Sequence, residues 1–200
     1  MITAITPTGA RPDAFAACVE HMRAQTIPSR WVIVDDGPEP MPTPQIDKWE
    51  IVHLRPEPLW EPGQNTQARN LLHGLPYCSE RVVVIEDDDL YAPDWLATCE
   101  GWLDDADLVG ESMSLYRHIE TGRETECNNE GHASLCSTAM KGEGVAAMVN
   151  ACRSGEKFID IRLWATKGIA KALHKPEPRR VTGIKGYPGR PGIGMGHRLK

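Results

Sequence analysis

Short β-branched runs alternate along this chain with segments whose apolar residues recur at helical spacing. Ile2 to Ile5, Trp31 to Val34, Ile51 to Leu54 and Arg81 to Ile85 are too short for helices, and they read as strands buried on both faces. Between them, Phe15, Cys18, Val19 and Met22 mark a helix that Pro12 opens and that ends before Pro28. Asn65 to His73 predicts a second helix, and Pro93 opens a third that carries Trp95, Leu96 and Cys99 to Leu103. Strand and helix in alternation predict an α/β fold: one domain with a mostly parallel central sheet and helices on both faces.

Beyond Leu108 the rhythm is less regular. Ser134 to Met140 reads as a strand, Gly144 to Cys152 as a helix and Phe158 to Ala172 as another. Four prolines between Pro38 and Pro44 require an extended loop. Gly183 to Gly196 holds six glycines and two prolines in fourteen positions, so neither a helix nor a central strand is expected there. With no internal repeat and no interdomain linker, residues 1–200 read as a single domain, in which 183–200 form a glycine-rich basic lid.

The 200 residues are 40% hydrophobic and 25% charged, ordinary for a globular domain with a real core. No apolar run approaches bilayer-spanning length and no signal-peptide pattern opens the chain, so a cytoplasmic protein without membrane association is expected. Six scattered cysteines without a Cys-x-x-Cys pair read as reduced thiols; a zinc set of Cys127, His132, Cys136 and Cys152 fits no familiar spacing. The net charge of −6 is unevenly spread. Residues 171–200 carry eight Lys/Arg and one acid, a net +7, which leaves −13 for the first 170 residues. Such a tail must meet something anionic: a pyrophosphate, a nucleic acid or the acidic body itself.

The densest chemistry lies at Glu86-Asp87-Asp88-Asp89, directly after the run from Val82 to Ile85. In an open α/β sheet, ligands bind at the carboxyl ends of strands. Four adjacent carboxylates repel one another unless a cation joins them, and an all-oxygen set suits Mg²⁺ or Mn²⁺. A second strand, Trp31 to Val34, also runs into acids, at Asp35-Asp36-Gly37. Asp36 there can accept a hydrogen bond from a ribose hydroxyl or a base N–H.

In order, these pieces resemble the GT-A-fold glycosyltransferases, family 2 in particular. Thr6-Pro7-Thr8 with Arg11 resembles the family's opening nucleotide-binding loop, and Gln25-Thr26 its first helix end. Val34-Asp35-Asp36-Gly37 is similar to its second strand end, Ala68-Arg69-Asn70 to its helical signature, and the acidic run to its metal-binding Asp-x-Asp element. The resemblance implies a metal-dependent transferase that moves a sugar from a nucleoside-diphosphate sugar, uridine being the common base, to an acceptor hydroxyl. It implies nucleotide-sugar contacts from Thr6, Pro7, Thr8, Arg11, Asp36, Arg69, Asp87, Lys185 and Arg190. Asp88 and Asp89 are the implied metal ligands for Mn²⁺ or Mg²⁺, and either Asp87 or Glu86 would face the sugar. Arg69 would neutralise phosphate or brace the acidic strand ends. Gly194-Met195-Gly196-His197 resembles the late loop that closes on the diphosphate, with His197 completing the metal shell.

The segment from Glu156 to Leu163 resembles the region of the family's catalytic base, where Ile159 stands in place of the usual acid and leaves Asp160 alone. One base without a second positioned carboxylate points to an inverting displacement. Size and tail charge also resemble the small phage-type glycosyltransferases, including TET-associated ones, that decorate 5-hydroxymethylpyrimidines in DNA. For such a protein the acceptor is hydroxymethylated DNA and the location the host cytoplasm. The alternatives are a saccharide or small-molecule acceptor, or a sugar nucleotidyltransferase; the latter needs more glycine after the first strand than Thr6 to Arg11 provides. A non-catalytic binder of nucleotide sugars or nucleic acid would have no use for the intact acid cluster.

Overall fold

In the computed structural model, which describes residues 1–190 and 192, a seven-stranded sheet forms the centre of the molecule. Strands β1 (Ile2–Thr8), β2 (Arg30–Asp35) and β3 (Glu50–Leu54) run parallel on one side, and β4 (Arg81–Val84) lies parallel to β1 on the other. Next come β9 (Thr138–Lys141), antiparallel to both its neighbours, then β6 (Leu108–Glu111) and the edge strand β10 (Lys171–His174). Apart from β9 the sheet is parallel.

Alternation along the strands makes two cores. Ile2, Ala4, Trp31, Ile33 and Val83 pack with Phe15, Cys18 and Met22 of α1 (Pro12–Arg23) and with Trp95, Leu96 and Cys99 of α3 (Trp95–Trp102). Ile5, Val32, Val34, Val82 and Val84 face the other way. There they meet Leu71 of α2 (Gln67–Gly74), Ala147 and Met148 of α4 (Glu143–Arg153), and Leu163 of α5 (Ile159–Trp164). The fold is therefore the expected one, with helices on both faces of a mostly parallel sheet.

A second, four-stranded sheet is built from segments without strong periodicity. Its order is β5 (Leu90–Tyr91), β11 (Val181–Lys185), β7 (Leu115–His118) and β8 (Glu124–Glu126). This corrects the reading of the glycine-rich tail, because Gly183 to Lys185 belong to an interior strand. The glycine itself makes that possible: a Cβ on Gly183 would lie 2.3 Å from the Tyr116 ring of the neighbouring strand. Two other segments also differ. The helix expected over Phe158–Ala172 stops at Trp164, and Gly168, at φ +83°, turns the chain into β10. The first half of Ser134–Met140 is a 3-10 turn, Leu135–Ser137.

Strand β1 also runs further than its apolar run, through Pro7 to Thr8. Ile5 accepts from the Ile85 N–H at 3.0 Å on the β4 side, and Thr8 from the Asp36 N–H at 3.2 Å on the β2 side. That alternation aims the Pro7 nitrogen toward β4, whose pairing with β1 has already ended at Ile5–Val84, so no ladder bond is lost. Successive strands go one way from β1 and then the other, which opens a crevice beside the carboxyl ends of β1 and β4.

Candidate active site

The ends of β1, β2 and β4 meet at this crevice. Gly9, at φ +145°, brings them together, since a Cβ there would stand 2.5 Å from Asp36 Oδ1. A cleft of about 150 Å³ opens above, walled by Pro7, Thr8 and Arg11 from the first strand end and by Glu86 and Asp88 from the acidic run. Gln67 and Asn70 of α2, Tyr116 of β7 and Lys185 of β11 line it as well. Lys157, Phe158 and Asp160, and from the tail Arg190 and Gly192, also line it.

The four acids diverge in role. Asp87 is buried, accepts from the Thr8 hydroxyl at 2.6 Å and from Arg11, and does not reach the cleft. Of the two candidates for the sugar side, Glu86 is the one facing inward. Asp88 also faces the cleft and accepts from Arg11 Nη1 at 2.8 Å. Asp89 turns away, its Oδ1 accepting from the Ile184 N–H at 2.7 Å, so it anchors β11. Burial pushes the carboxyl groups of Asp87 and Asp89 up to about 6, with repulsion from Asp88 acting in the same direction. Burial, with repulsion from Asp89 and Asp88, also raises the Glu86 carboxyl well above the usual carboxylate range.

Lys185 answers this charge. Burial works against its ammonium, but Asp89, Asp88 and Glu86 raise its pKa overall. Its Nζ lies 4.6 Å from the centre of the Tyr116 ring and, among the described residues, makes no ion pair within 4 Å. Lys185 thus offers a cation to the cleft, whereas Arg11 is committed to Asp87 and Asp88.

The Asp35–Asp36 pair behaves differently. Asp35 accepts from the Gly37 and Met41 N–H groups at 3.0 and 2.7 Å and from Arg55 at 2.9 Å. Burial opposes its charge, yet His53, these amides and Arg55 together hold its pKa below the usual carboxylate value. Asp36 is fully buried and lies behind the cleft wall. Its oxygens accept from Thr66, from Arg69 at 2.9 Å and from Arg190 at 2.8 Å. Arg69 therefore braces the strand end. Thr6 is turned into the core, where its hydroxyl accepts from the Trp31 indole at 2.9 Å, and it does not line the cleft.

Asp160 stands in the first turn of α5 and accepts from the Ile161 N–H at 2.9 Å. Burial raises its pKa, with His132 near enough to act against that rise. The cleft brings together Pro7, Thr8, Arg11, Asp88, Asp160, Lys185 and Arg190 from positions 7 to 190. His197 lies outside the described residues. Gln67 and Asn70 flank Arg69 at a spacing of three, which was the signal for their shared helix face. Tyr116 had none.

A hard divalent cation suits this donor set. Glu86 and Asp88 line the cleft, and Asp89 Oδ2 is buried without a partner among the described residues. Glu86, Asp89 and Cys136 offer ligand atoms within 4.8 Å of one another, the only such trio of His, Cys, Asp or Glu among the described residues. The Cys136 thiol is pushed well up by burial and by Asp89, so it stays protonated and is a poor ligand for such an ion. Cys127, His132, Cys136 and Cys152 do not converge into a zinc site, and all six thiols are free.

The sequence profile described as Glycosyl transferase family 2 matches residues 3–163, which covers β1 through most of α5. The chain belongs to glycosyl transferase family 2. Among solved structures, residues 1–349 of TarS from S. aureus superpose with a TM-score of 0.61 at 11% identity, over 92% of this chain and 60% of that one. The same TarS segment in complex with UDP-GlcNAc gives 0.57 at 12% identity, over 88% and 59%. The mannosyltransferase PcManGT from Pyrobaculum calidifontis, in complex with GDP-Man and Mn²⁺, gives 0.56 at 16%, over 92% and 56%. At these identities the likeness is one of fold, the GT-A-like arrangement of family 2. The chain spans less than two thirds of the length of each of these proteins. No curated protein matches it in sequence. No helix among the described residues is long and apolar enough to cross a membrane.

Among the described residues, part of the tail charge meets the acidic body. Arg179 pairs with Glu126, Arg180 with Asp94 at 3.0 Å and Arg190 with Asp36, while Lys185 faces the acidic run. Of the three anionic partners open to the tail, this family 2 chain uses its own body for at least these three arginines.

Proposed function

We propose that this chain transfers a sugar from a nucleoside-diphosphate sugar to an acceptor hydroxyl, with inversion. The observation that carries the reading is one cleft lined together by a buried cation without an ion pair among the described residues, Lys185, by the carboxylates Glu86 and Asp88, and by Asp160. Lys185 binds the diphosphate, and Thr8 and Arg11 hold the acidic strand end in place. Asp88, with Glu86 beside it, would hold Mn²⁺ or Mg²⁺, which supplies charge stabilisation to the leaving diphosphate when bound. Asp160 takes the proton of the acceptor hydroxyl. Its pKa, raised by burial, makes it a better base than an exposed aspartate. Asp89 and Asp87 act from behind, fixing β11 and Arg11.

The acceptor we infer is a 5-hydroxymethylpyrimidine in DNA, modified in the cytoplasm of a phage-infected host. Phe158, partly exposed in the cleft lining near Asp160, offers a plane for a base, and Lys157 beside it in the lining adds a positive charge. Residues 1–200 act in this reading as one transferase domain. The segment after Lys185, whose Arg190 and Gly192 already line the cleft, serves as its lid.

Release of free sugar from UDP- and GDP-sugars should require Mn²⁺ or Mg²⁺. Transfer should then be faster to hydroxymethylated than to unmodified DNA, and faster than to oligosaccharides. Pyrophosphate release from a nucleoside triphosphate and a sugar phosphate, without transfer, would instead make the chain a nucleotidyltransferase. Transfer to oligosaccharides alone would remove DNA and keep the chemistry.

A further inference from the structure

A chain of hydrogen bonds behind the cleft has a direction. It starts at Asn129, buried in the loop after β8, whose Oδ1 accepts from the Ser114 N–H at 2.8 Å. A backbone N–H can only donate, so the amide oxygen is fixed on that side and Nδ2 on the other. Both Nδ2 hydrogens are then spent, on Ser114 Oγ at 3.0 Å and on the His132 carbonyl at 3.1 Å. Ser114 Oγ therefore accepts, and its own hydrogen goes to its one remaining partner among the described residues, Ser134 Oγ at 2.7 Å. Ser134 Oγ in turn lies 2.8 Å from the Tyr116 hydroxyl. One hydrogen bond joins these last two groups, and they bring two hydrogens to it. One O–H is left over. Whichever oxygen carries it, Tyr116 and Ser134 both line the cleft. Burial raises the Tyr116 pKa, so the phenol stays protonated and the group left over is a donor.

We propose that Asn129 is a positioning residue whose amide polarises this relay, so that the Tyr116–Ser134 pair presents one O–H donor to a hydroxyl oxygen of the sugar being transferred. This rests on the nucleotide-sugar reading above, which uses none of the four residues. A sugar hydroxyl accepts one hydrogen bond and donates another, and the lining supplies both halves: the donor of the Tyr116–Ser134 pair and a carboxyl oxygen of Glu86. A phosphate oxygen only accepts, so it would gain nothing from Glu86.

The direction of the relay depends on one nitrogen. In Asn129→Asp the atom that replaces Nδ2 accepts, so Ser114 donates to it, Ser134 to Ser114 and Tyr116 to Ser134. No hydrogen is left for the sugar, and the shape of the cleft is unchanged. Removing both hydroxyls with Tyr116→Phe and Ser134→Ala reaches the same end by another route and adds no charge.

The test is calorimetric titration of UDP, GDP, UDP-glucose, UDP-GlcNAc and GDP-mannose with Mn²⁺ present, followed by monodeoxy analogues of the sugar nucleotide that binds the wild type most tightly. The readout is the affinity for that sugar nucleotide relative to its diphosphate, because an added charge at position 129 acts on the phosphates of both alike. Asn129→Asp and the double variant should each lower this ratio about two- to ten-fold, the worth of one neutral hydrogen bond. Adding Asn129→Asp to the double variant should lower it no further. One monodeoxy analogue should bind the wild type more weakly than the full sugar nucleotide, and in both variants that difference should disappear. If the double variant weakens the diphosphate as much as the sugar nucleotide, the donor serves a phosphate and the proposal is overturned. A further loss on combining all three substitutions means that Asn129 acts by another route and overturns its positioning role. An unchanged ratio in both variants, in a protein that still binds UDP or GDP, overturns the proposal and leaves the transferase reading standing. If Asn129→Asp shows no cooperative thermal transition, the double variant and the deoxy analogues decide by the same comparison. Failure of the wild type to bind any of the five ligands removes the transferase reading and the proposal together.

Discussion

Gly183→Ala gives the sharpest test of how the small sheet holds the cleft. The residue lies inside β11, between β5 and β7, and its φ is compatible with alanine, so backbone strain is not the issue. The obstacle is Tyr116. A Cβ at position 183 would stand 2.3 and 2.5 Å from Cδ1 and Cε1 of its ring, well inside contact distance. A phenol ring cannot yield there as a flexible chain end does, because its hydroxyl is hydrogen-bonded to Ser134 at 2.8 Å and the Lys185 ammonium lies over its face. Either β11 moves outward or Tyr116 swings, and overpacking of this kind costs about 1–3 kcal/mol. For a chain of this length that is roughly 2–4 °C in Tm per kcal/mol. In a Tyr116→Ala background the obstacle is gone. There the substitution should be neutral or stabilise by about 0.4–1 kcal/mol, because alanine leaves the unfolded chain less freedom than glycine. Urea denaturation of the four proteins measures the coupling, expected to be at least ~1 kcal/mol. An equal cost of Gly183→Ala in both backgrounds would refute the argument, since the penalty would then come from something other than the ring.

Three further outcomes follow from the site. Asp88→Asn should keep the fold and abolish the thermal stabilisation that Mn²⁺ adds to the nucleoside-diphosphate complex, because a neutral amide is a poor ligand for a hard cation; an unchanged Mn²⁺ effect would move the metal elsewhere. Asp160→Asn should lower kcat by about 10²-fold or more while leaving the donor Kd unaltered. The acidic limb of the wild-type rate should lie above the usual aspartate range, because burial raises this pKa, and near-normal turnover in the variant would take the base role away. Asp35 has its folded pKa below its unfolded value of 3.8, so its contribution is present above that pH and lost as pH falls through the folded value. Asp35→Asn should therefore cost roughly 1.5–3 kcal/mol at pH 7, the worth of its charged hydrogen bonds; the gap to wild type should close below about pH 3.8, and a pH-independent gap would refute the ionic account.

What the sequence determined by itself was the layered sheet and the ends of its strands. Val, Ile and Trp alternating between two cores dictate β1, β2 and β4, and the acids that follow can only emerge at their carboxyl ends. Family motifs are local, so Asp36, Arg69, Asp88 and Asp160 were legible one by one. Their partners were not. Nothing in residues 115–118 marks Tyr116 as a cleft wall, and nothing near Asp87 says that Arg11 and Thr8 take both its oxygens while Glu86 turns inward. The glycines of 183–196 argued against a strand, and only the Tyr116 ring packed against β11 explains why one is there. The basic tail read as a segment that must meet something anionic: a pyrophosphate, a nucleic acid or the acidic body itself. In three dimensions Arg179, Arg180 and Arg190 return to Glu126, Asp94 and Asp36, contacts 53 to 154 residues apart whose pairing depends on how the sheets pack. Charge along a chain fixes only that opposite signs must be met; which groups meet is decided when packing brings distant strand ends within a few ångströms.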